Sequence, residues 1–216
     1  MAEFLNTSGI VLKSSPVNDF DRRVVILTEK AGKIAAFANG ARKQGSRFAA
    51  STDLFVFAEF SLYAGRNAFT IREVNVKNYF GELRADYEAA LYGMYFLEVT
   101  EKATVENGDD SDMLVLLYQT LRALTHPVYS KSLVRTIFEL KTVMISGTFN
   151  TAVLEGGFSD TVKRYAEVLY RTPAKSVYGY ALKEEFLSEA QILSAREMSA
   201  AFEGYEFKSL EMLKTI

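Results

Sequence analysis

Apolar and polar residues alternate with a period of two through the first 80 positions, and with a period near 3.6 thereafter. The alternation is clearest over 54–63. There Leu54, Val56, Ala58, Phe60 and Leu62 share one face of a predicted strand, and Glu59, Ser61 and Tyr63 the other. Similar β-prone runs cover 9–14, 22–28, 33–39 and 69–77, separated by turn residues such as Pro16-Val17-Asn18-Asp19, Lys30-Ala31-Gly32 and Gly65-Arg66-Asn67. In the last run Phe69 and Ile71 give way to Val74 and Val76, a one-residue change of phase that predicts a β-bulge. Five short strands in so few residues predict a small closed barrel. The OB-fold is the commonest five-stranded form, and an SH3-like barrel is the structural alternative.

Beyond Gly81 the spacing turns helical. Leu83, Tyr87, Leu91, Met94 and Glu98 form a first stripe, widened by Ala90, Tyr95 and Leu97. A break at Asn107-Gly108-Asp109-Asp110-Ser111 precedes a second helix with Leu114, Leu117, Leu121 and Leu124 on one side, ending near His126-Pro127. A third helix is expected over 132–146, then a glycine-containing connector over 147–157. Helical spacing resumes at Ser159 and again at Ser188-Glu189-Ala190-Gln191, which fits a capping box. That last helix should turn Ile192, Ala195, Met198 and Phe202 inward and stop at Gly204. The fold class is therefore α+β, with a five-stranded OB-fold β-barrel over 1–80 followed by an all-α domain over 81–216.

Charge is distributed unevenly along this plan. The formal net charge is −2, yet residues 1–80 carry 11 Lys/Arg against 7 Asp/Glu, a net of +4, and the remainder is correspondingly acidic. A basic barrel joined to an acidic helical part points to a module for polyanions. Its most conspicuous element is Gly40-Ala41-Arg42-Lys43-Gln44-Gly45-Ser46-Arg47, a glycine-punctuated loop between two strands. Three cations on a flexible backbone can follow a line of phosphates without reading sequence. The same loop also fits a solvated hairpin.

The chemistry of catalysis is missing. There is no nucleotide-binding G-x-x-x-x-G-K-[ST] or G-x-G-x-x-G, and no H-E-x-x-H. With zero cysteines and a single histidine, His126, the chain has neither a thiol nucleophile nor the ligands of an ordinary structural zinc site. Acid pairs such as Asp109/Asp110 read as solvated charge. The N-terminus lacks the pattern of a secretory signal, and no apolar run reaches the ~18 residues of a membrane helix. A cytoplasmic, nucleoid-associated binding protein is expected, with no enzymatic activity, no cofactor, no metal and no membrane partner.

Several segments resemble the bacterial recombination mediator family RecO. They are Gly9-Ile10-Val11-Leu12, Gly40-Ala41-Arg42 with Ser46-Arg47, and Leu54-Phe55 through Phe60-Ser61-Leu62-Tyr63. Tyr95-Phe96-Leu97-Glu98, Phe138-Glu139-Leu140-Lys141 and Phe207-Lys208-Ser209-Leu210 continue the series. Their order and spacing carry the likeness. The resemblance implies binding to single- and double-stranded DNA, annealing of complementary strands, and cooperation with RecR to load RecA onto strands coated by single-strand-binding protein. One departure is plain: many members carry four zinc-binding cysteines after the third helix, where this chain has only the short 147–157 loop.

The DNA-binding candidates are Lys13, Arg22, Arg23, Lys33, Arg42, Lys43, Arg47, Arg66 and Arg72, with Phe48 as a base-stacking aromatic and Phe37 as a second. The family implies a site in the helical domain for the acidic, hydrophobic C-terminal tail of single-strand-binding protein. Its candidates are Arg122 beside Leu121, and Arg135 one turn before Phe138. The alternative function is a protein-interaction adaptor whose barrel docks a partner and has no direct role on DNA.

Overall fold

The period-two residues form five strands: β1 (Phe4–Val17), β2 (Asp21–Thr28), β3 (Gly32–Ala38), β4 (Phe57–Ala64) and β5 (Phe69–Asn78). In the computed structural model, which describes residues 4–65, 68–152, 157–180 and 182–213, they close into a barrel in the order β1-β2-β3-β5-β4. All pairings are antiparallel except β3 with β5, which is parallel. This is the OB-fold arrangement. Val11, Val24, Ile26, Ile34, Ala36, Ala58, Phe60, Leu62 and Ile71 fill the interior. At Gly9, where β1 crosses β2, a Cβ would lie 2.7 Å from the Leu27 carbonyl oxygen and 2.8 Å from Ile26 Cγ2. Only glycine lets the two backbones approach so closely.

The predicted bulge is present. Ser61 pairs with Glu73 but Leu62 pairs with Ile71, so Arg72 is an extra residue on β5. The strand expected from Leu54 begins later, at Phe57. Residues 39–56 form a run of turns, with Gly40, Gly45 and the non-glycine Phe55 at positive φ.

The helices are α1 (Gly81–Ala85), α2 (Tyr87–Ala103), α3 (Ser111–Leu124), α4 (Lys131–Ile145), α5 (Asp160–Arg171), α6 (Leu187–Ala201) and α7 (Lys208–Leu213). Two compact units result, one of Met1–Ala85 with Leu97–Leu114, the other of Asp86–Phe96 with Val115–Ile216. The first helical stripe is split at Asp86, whose side chain accepts from the Ala89 N–H. Tyr87 therefore points outward, 70% exposed, and the buried face carries Ala89, Leu91, Tyr95 and Phe96 instead. In the second unit Phe96 stacks on Phe138 at 4.5 Å between centroids, and Phe207 meets Tyr95 edge-on at 5.7 Å.

The capping box expected at Ser188 is not formed. A short 3-10 turn (Glu184–Phe186) leads into α6, so Ser188 lies inside the helix rather than before it. Glu189 instead caps a neighbour, accepting bonds from the backbone N–H and hydroxyl of Ser159, the N-cap of α5. The buried face of α6 differs from the expected one: Leu193, Ser194, Glu197 and Met198 share it at helical spacing, while Ile192 is 64% exposed. Of the connector, residues 153–156 lie outside the described residues.

Candidate nucleic-acid interface

Outward-facing side chains on a closed barrel form rows that cross the strands, because directly paired residues share a face. The pairings Arg23–Phe37, Phe37–Thr70, Thr70–Tyr63 and Tyr63–Phe4 link one such row across β2, β3, β5, β4 and β1. Arg23 is exposed, Phe37, Thr70 and Tyr63 are half-buried, and Phe4 is 64% exposed. Phe4 packs edge-on against Tyr63, with ring centroids 5.7 Å apart. The bulge places the exposed Arg72 over the Tyr63 ring, its guanidinium carbon 5.6 Å from the centroid. Arg47 joins the row from the turn segment by donating to the Arg72 carbonyl at 2.8 Å. Cations and aromatic rings thus share one surface, the combination that single-strand binders use for phosphates and bases.

The basic loop is anchored at its base. Asp21 accepts from the Gly40 N–H at 2.7 Å, and that bond, with help from Asn18, holds its carboxyl below the ordinary range. Beyond the anchor the cations diverge. Arg42 donates to the Asn18 carbonyl at 3.2 Å, Lys43 sits 5.5 Å from the Phe20 ring centroid, and Arg47 turns to the row.

Other candidates are engaged elsewhere. Lys13 pairs with Glu101 at 2.7 Å. Lys33 donates to the carbonyls of Glu101 and Thr104 at the end of α2, so it caps a helix instead of facing a ligand. Arg22 and Arg23 are consecutive in β2 and point to opposite faces. Arg22 is bound to the Ala49 carbonyl at 2.8 Å and to Asp53 at 2.6 Å. Arg66 lies outside the described residues.

Phe48 is corrected outright. It is 8% exposed and belongs to the barrel core, so it offers no face to a base. Phe37, at an odd-numbered position on β3, faces outward and is half-buried. Phe4 and Tyr63 were not among the expected site residues. The alternation on its strand puts Tyr63 on the outer face, but its cross-strand neighbours are a signal that no linear pattern contains.

The expected partner site is corrected as well. Leu121 and Phe138 are 0% exposed and belong to the helical core, so they cannot line a groove. Arg135 donates through Nε to the buried carboxylate of Glu139 at 2.6 Å, and Glu139 also accepts from Tyr95 at 2.7 Å and Ser194 at 2.7 Å. Arg122 alone of the four is exposed, lying 6.0 Å from the Tyr118 ring centroid.

A closed five-stranded OB barrel carrying cations and aromatics on its outer surface, followed in the chain by helices, defines the structural class of the protein. Residues 1–80 match the family Recombination protein O N terminal, and residues 84–148 match Recombination protein O C terminal. The chain belongs to the RecO family. Proteins named DNA repair protein RecO are 32% identical over 141 residues in Clostridium novyi and 33% over 143 in Alkaliphilus metalliredigens. These alignments take in 65% and 66% of this chain but only 55% and 58% of the relatives' own lengths. A third, from Acetivibrio thermocellus, is 31% identical over 144 residues, 67% of this chain and 57% of the relative. The chain thus spans a little over half the length of these relatives. The family's zinc cysteines have no counterpart, since the chain contains none.

Proposed function

We propose that the barrel binds DNA through its outer row, with Arg23, Arg47 and Arg72 on phosphates and Phe37, Tyr63 and Phe4 against bases. The protein then acts as a strand-annealing recombination mediator. The observation that carries this reading is the unbroken sequence of pairings from Arg23 to Phe4 across all five strands, with Arg72 over Tyr63. Annealing needs no bond-making residue. It needs cations that screen phosphate repulsion and a surface that holds strands with their bases accessible. The proposal keeps RecR as the partner, RecA as recipient of the strand, and the tail of single-strand-binding protein as a ligand of the helical unit, with Arg122 as its remaining cationic candidate.

The test is a combined Arg23→Gln, Phe37→Ala, Arg72→Gln variant, titrated with fluorescent single-stranded DNA at several salt concentrations. Affinity should fall for all sequences alike, and the salt slope should drop by roughly one for each lost phosphate contact. Annealing of complementary strands should slow in parallel. A folded variant with unchanged affinity and slope would remove the row from the interface and favour the adaptor function.

A further inference from the structure

A second cationic feature of the barrel unit lies apart from the outer row. Arg22, Arg42 and Arg84 line a cleft of about 480 Å³, floored by Pro16, Leu54 and Phe55. One carboxylate, Asp53, stands among them, 2.6 Å from Arg22 and 3.7 Å from Arg84. Three guanidiniums against one carboxylate leave the cleft with a charge of +2. Asp53 is 37% exposed, so the cluster opens to solvent. Each of the hydrogen bonds described for these arginines uses a single terminal nitrogen: Arg22 to Ala49 and Asp53, Arg42 to Asn18, Arg84 to the Leu54 carbonyl. A guanidinium carries five N–H donors, so most of the set remains for a ligand.

The backbone here is also unusual. Phe55 adopts φ +70°, which a bulky side chain rarely accepts. Bonds from the Phe55 N–H to Val11 and from the Val11 N–H to Val56 hold it there, at 3.2 and 3.0 Å. Phe55 is thus almost wholly buried and still lines the cleft. Strained backbone held by its surroundings concentrates at ligand sites.

We infer that this cleft receives a terminal phosphate monoester, so that the barrel distinguishes a phosphorylated strand end from an interior phosphodiester. The charge decides the class: a monoester carries nearly two negative charges near neutral pH, matching the excess of +2, whereas a diester carries one. The volume exceeds that of a phosphate group alone, and Pro16 and Leu54 offer apolar surface to the attached sugar or base. The inference rests on the DNA-binding reading only for the source of the phosphate.

The experiment compares one short, internally labelled oligonucleotide in three forms: 5′-phosphorylated, 3′-phosphorylated, and hydroxyl at both ends. At least one phosphorylated form should bind the full chain on the order of tenfold more tightly than the hydroxyl form. Arg42→Gln, at an exposed position, and Arg84→Gln should each bring that ratio toward one. Arg23→Gln with Arg72→Gln should weaken all three forms and preserve it. Equal binding of the three forms by wild type would overturn the inference and leave the outer row standing. If no oligonucleotide binds, the DNA reading fails, and thymidine 5′-monophosphate against thymidine judges the cleft. Binding of the nucleotide alone, lost in Arg42→Gln, supports it; no preference between the two overturns it.

Discussion

Replacing Arg135 with alanine should destabilise the helical unit far more than its partly exposed position suggests. The side chain of Arg135 is 31% exposed, but the carboxylate it serves, on Glu139, is 3% exposed. Removing one member of a buried pair leaves the other charge in a poorly solvated site, at a cost of about 3–5 kcal/mol. Tyr95 and Ser194 still donate to Glu139, at 2.7 Å each, which places the expected loss at the lower end, about 3 kcal/mol. For a chain of this size that is roughly 6–12 °C in Tm. Since the chain has no tryptophan, far-UV circular dichroism in urea and on heating is the suitable probe. Adding Glu139→Gln removes the stranded charge, keeps a carbonyl acceptor for one of the two hydroxyls and offers an amide N–H to the oxygen of the other, so the double variant should recover much of the loss. A loss below about 1 kcal/mol for Arg135→Ala would refute the argument, as would a double variant no better than the single one. For the same reason a charge reversal at Arg135 would report on folding, not on a partner.

Further outcomes follow from the same contacts. Phe48→Ala should cost about 3–5 kcal/mol of barrel stability by thermal melt, whereas Phe37→Ala should cost far less and lower single-stranded DNA affinity roughly five- to tenfold or more. Glu189 is held below its ordinary value of 4.5, chiefly by the Ser159 hydroxyl and then by its N–H. That stability is present above pH 4.5 and is lost as pH falls through the lowered value; Glu189→Gln should flatten this part of an acid-stability profile. Excess chelator should leave the melting curve and the DNA titration unchanged, because no thiolate is available for a structural zinc site.

Much of the barrel was legible because its signals are local. Alternation on β4 and the phase change on β5 are one-dimensional patterns, and both reappear as strand faces and as the bulge at Arg72. The helices were found, but their faces were less secure. The stripe through Tyr87 assumed one continuous helix, and the side-chain bond from Asp86 to the Ala89 N–H starts a new one there. Ser188 had the right spacing for a capping box, yet the chain enters α6 through a 3-10 turn and spends Glu189 on α5. The site was less legible still, since basic residues were counted by type. Lys33 and Arg22 are cations committed to carbonyls far away in sequence, and Arg135 is committed to a carboxylate one helical turn on that is buried. Phe4 joins Tyr63 only through a pairing between the first strand and the fourth.

The bulge at Arg72 also draws an electrostatic border. An unbroken β5 would place residues 72 and 73 on opposite faces; the extra residue leaves both Arg72 and Glu73 exposed. Thr70, Tyr63 and Phe4 lie to one side of that border. Glu73, Glu59 and Asn75 lie to the other, with Asn75 bonded to Glu59 at 3.2 Å. Along β4 and β5 lie the carboxylates, Glu59 paired with Lys77 at 3.2 Å, whereas Arg23 and Arg72 lie on the row that crosses the strands. On the proposed reading, one inserted residue sets a direction of travel, across the staves of the barrel from Arg23 toward Phe4.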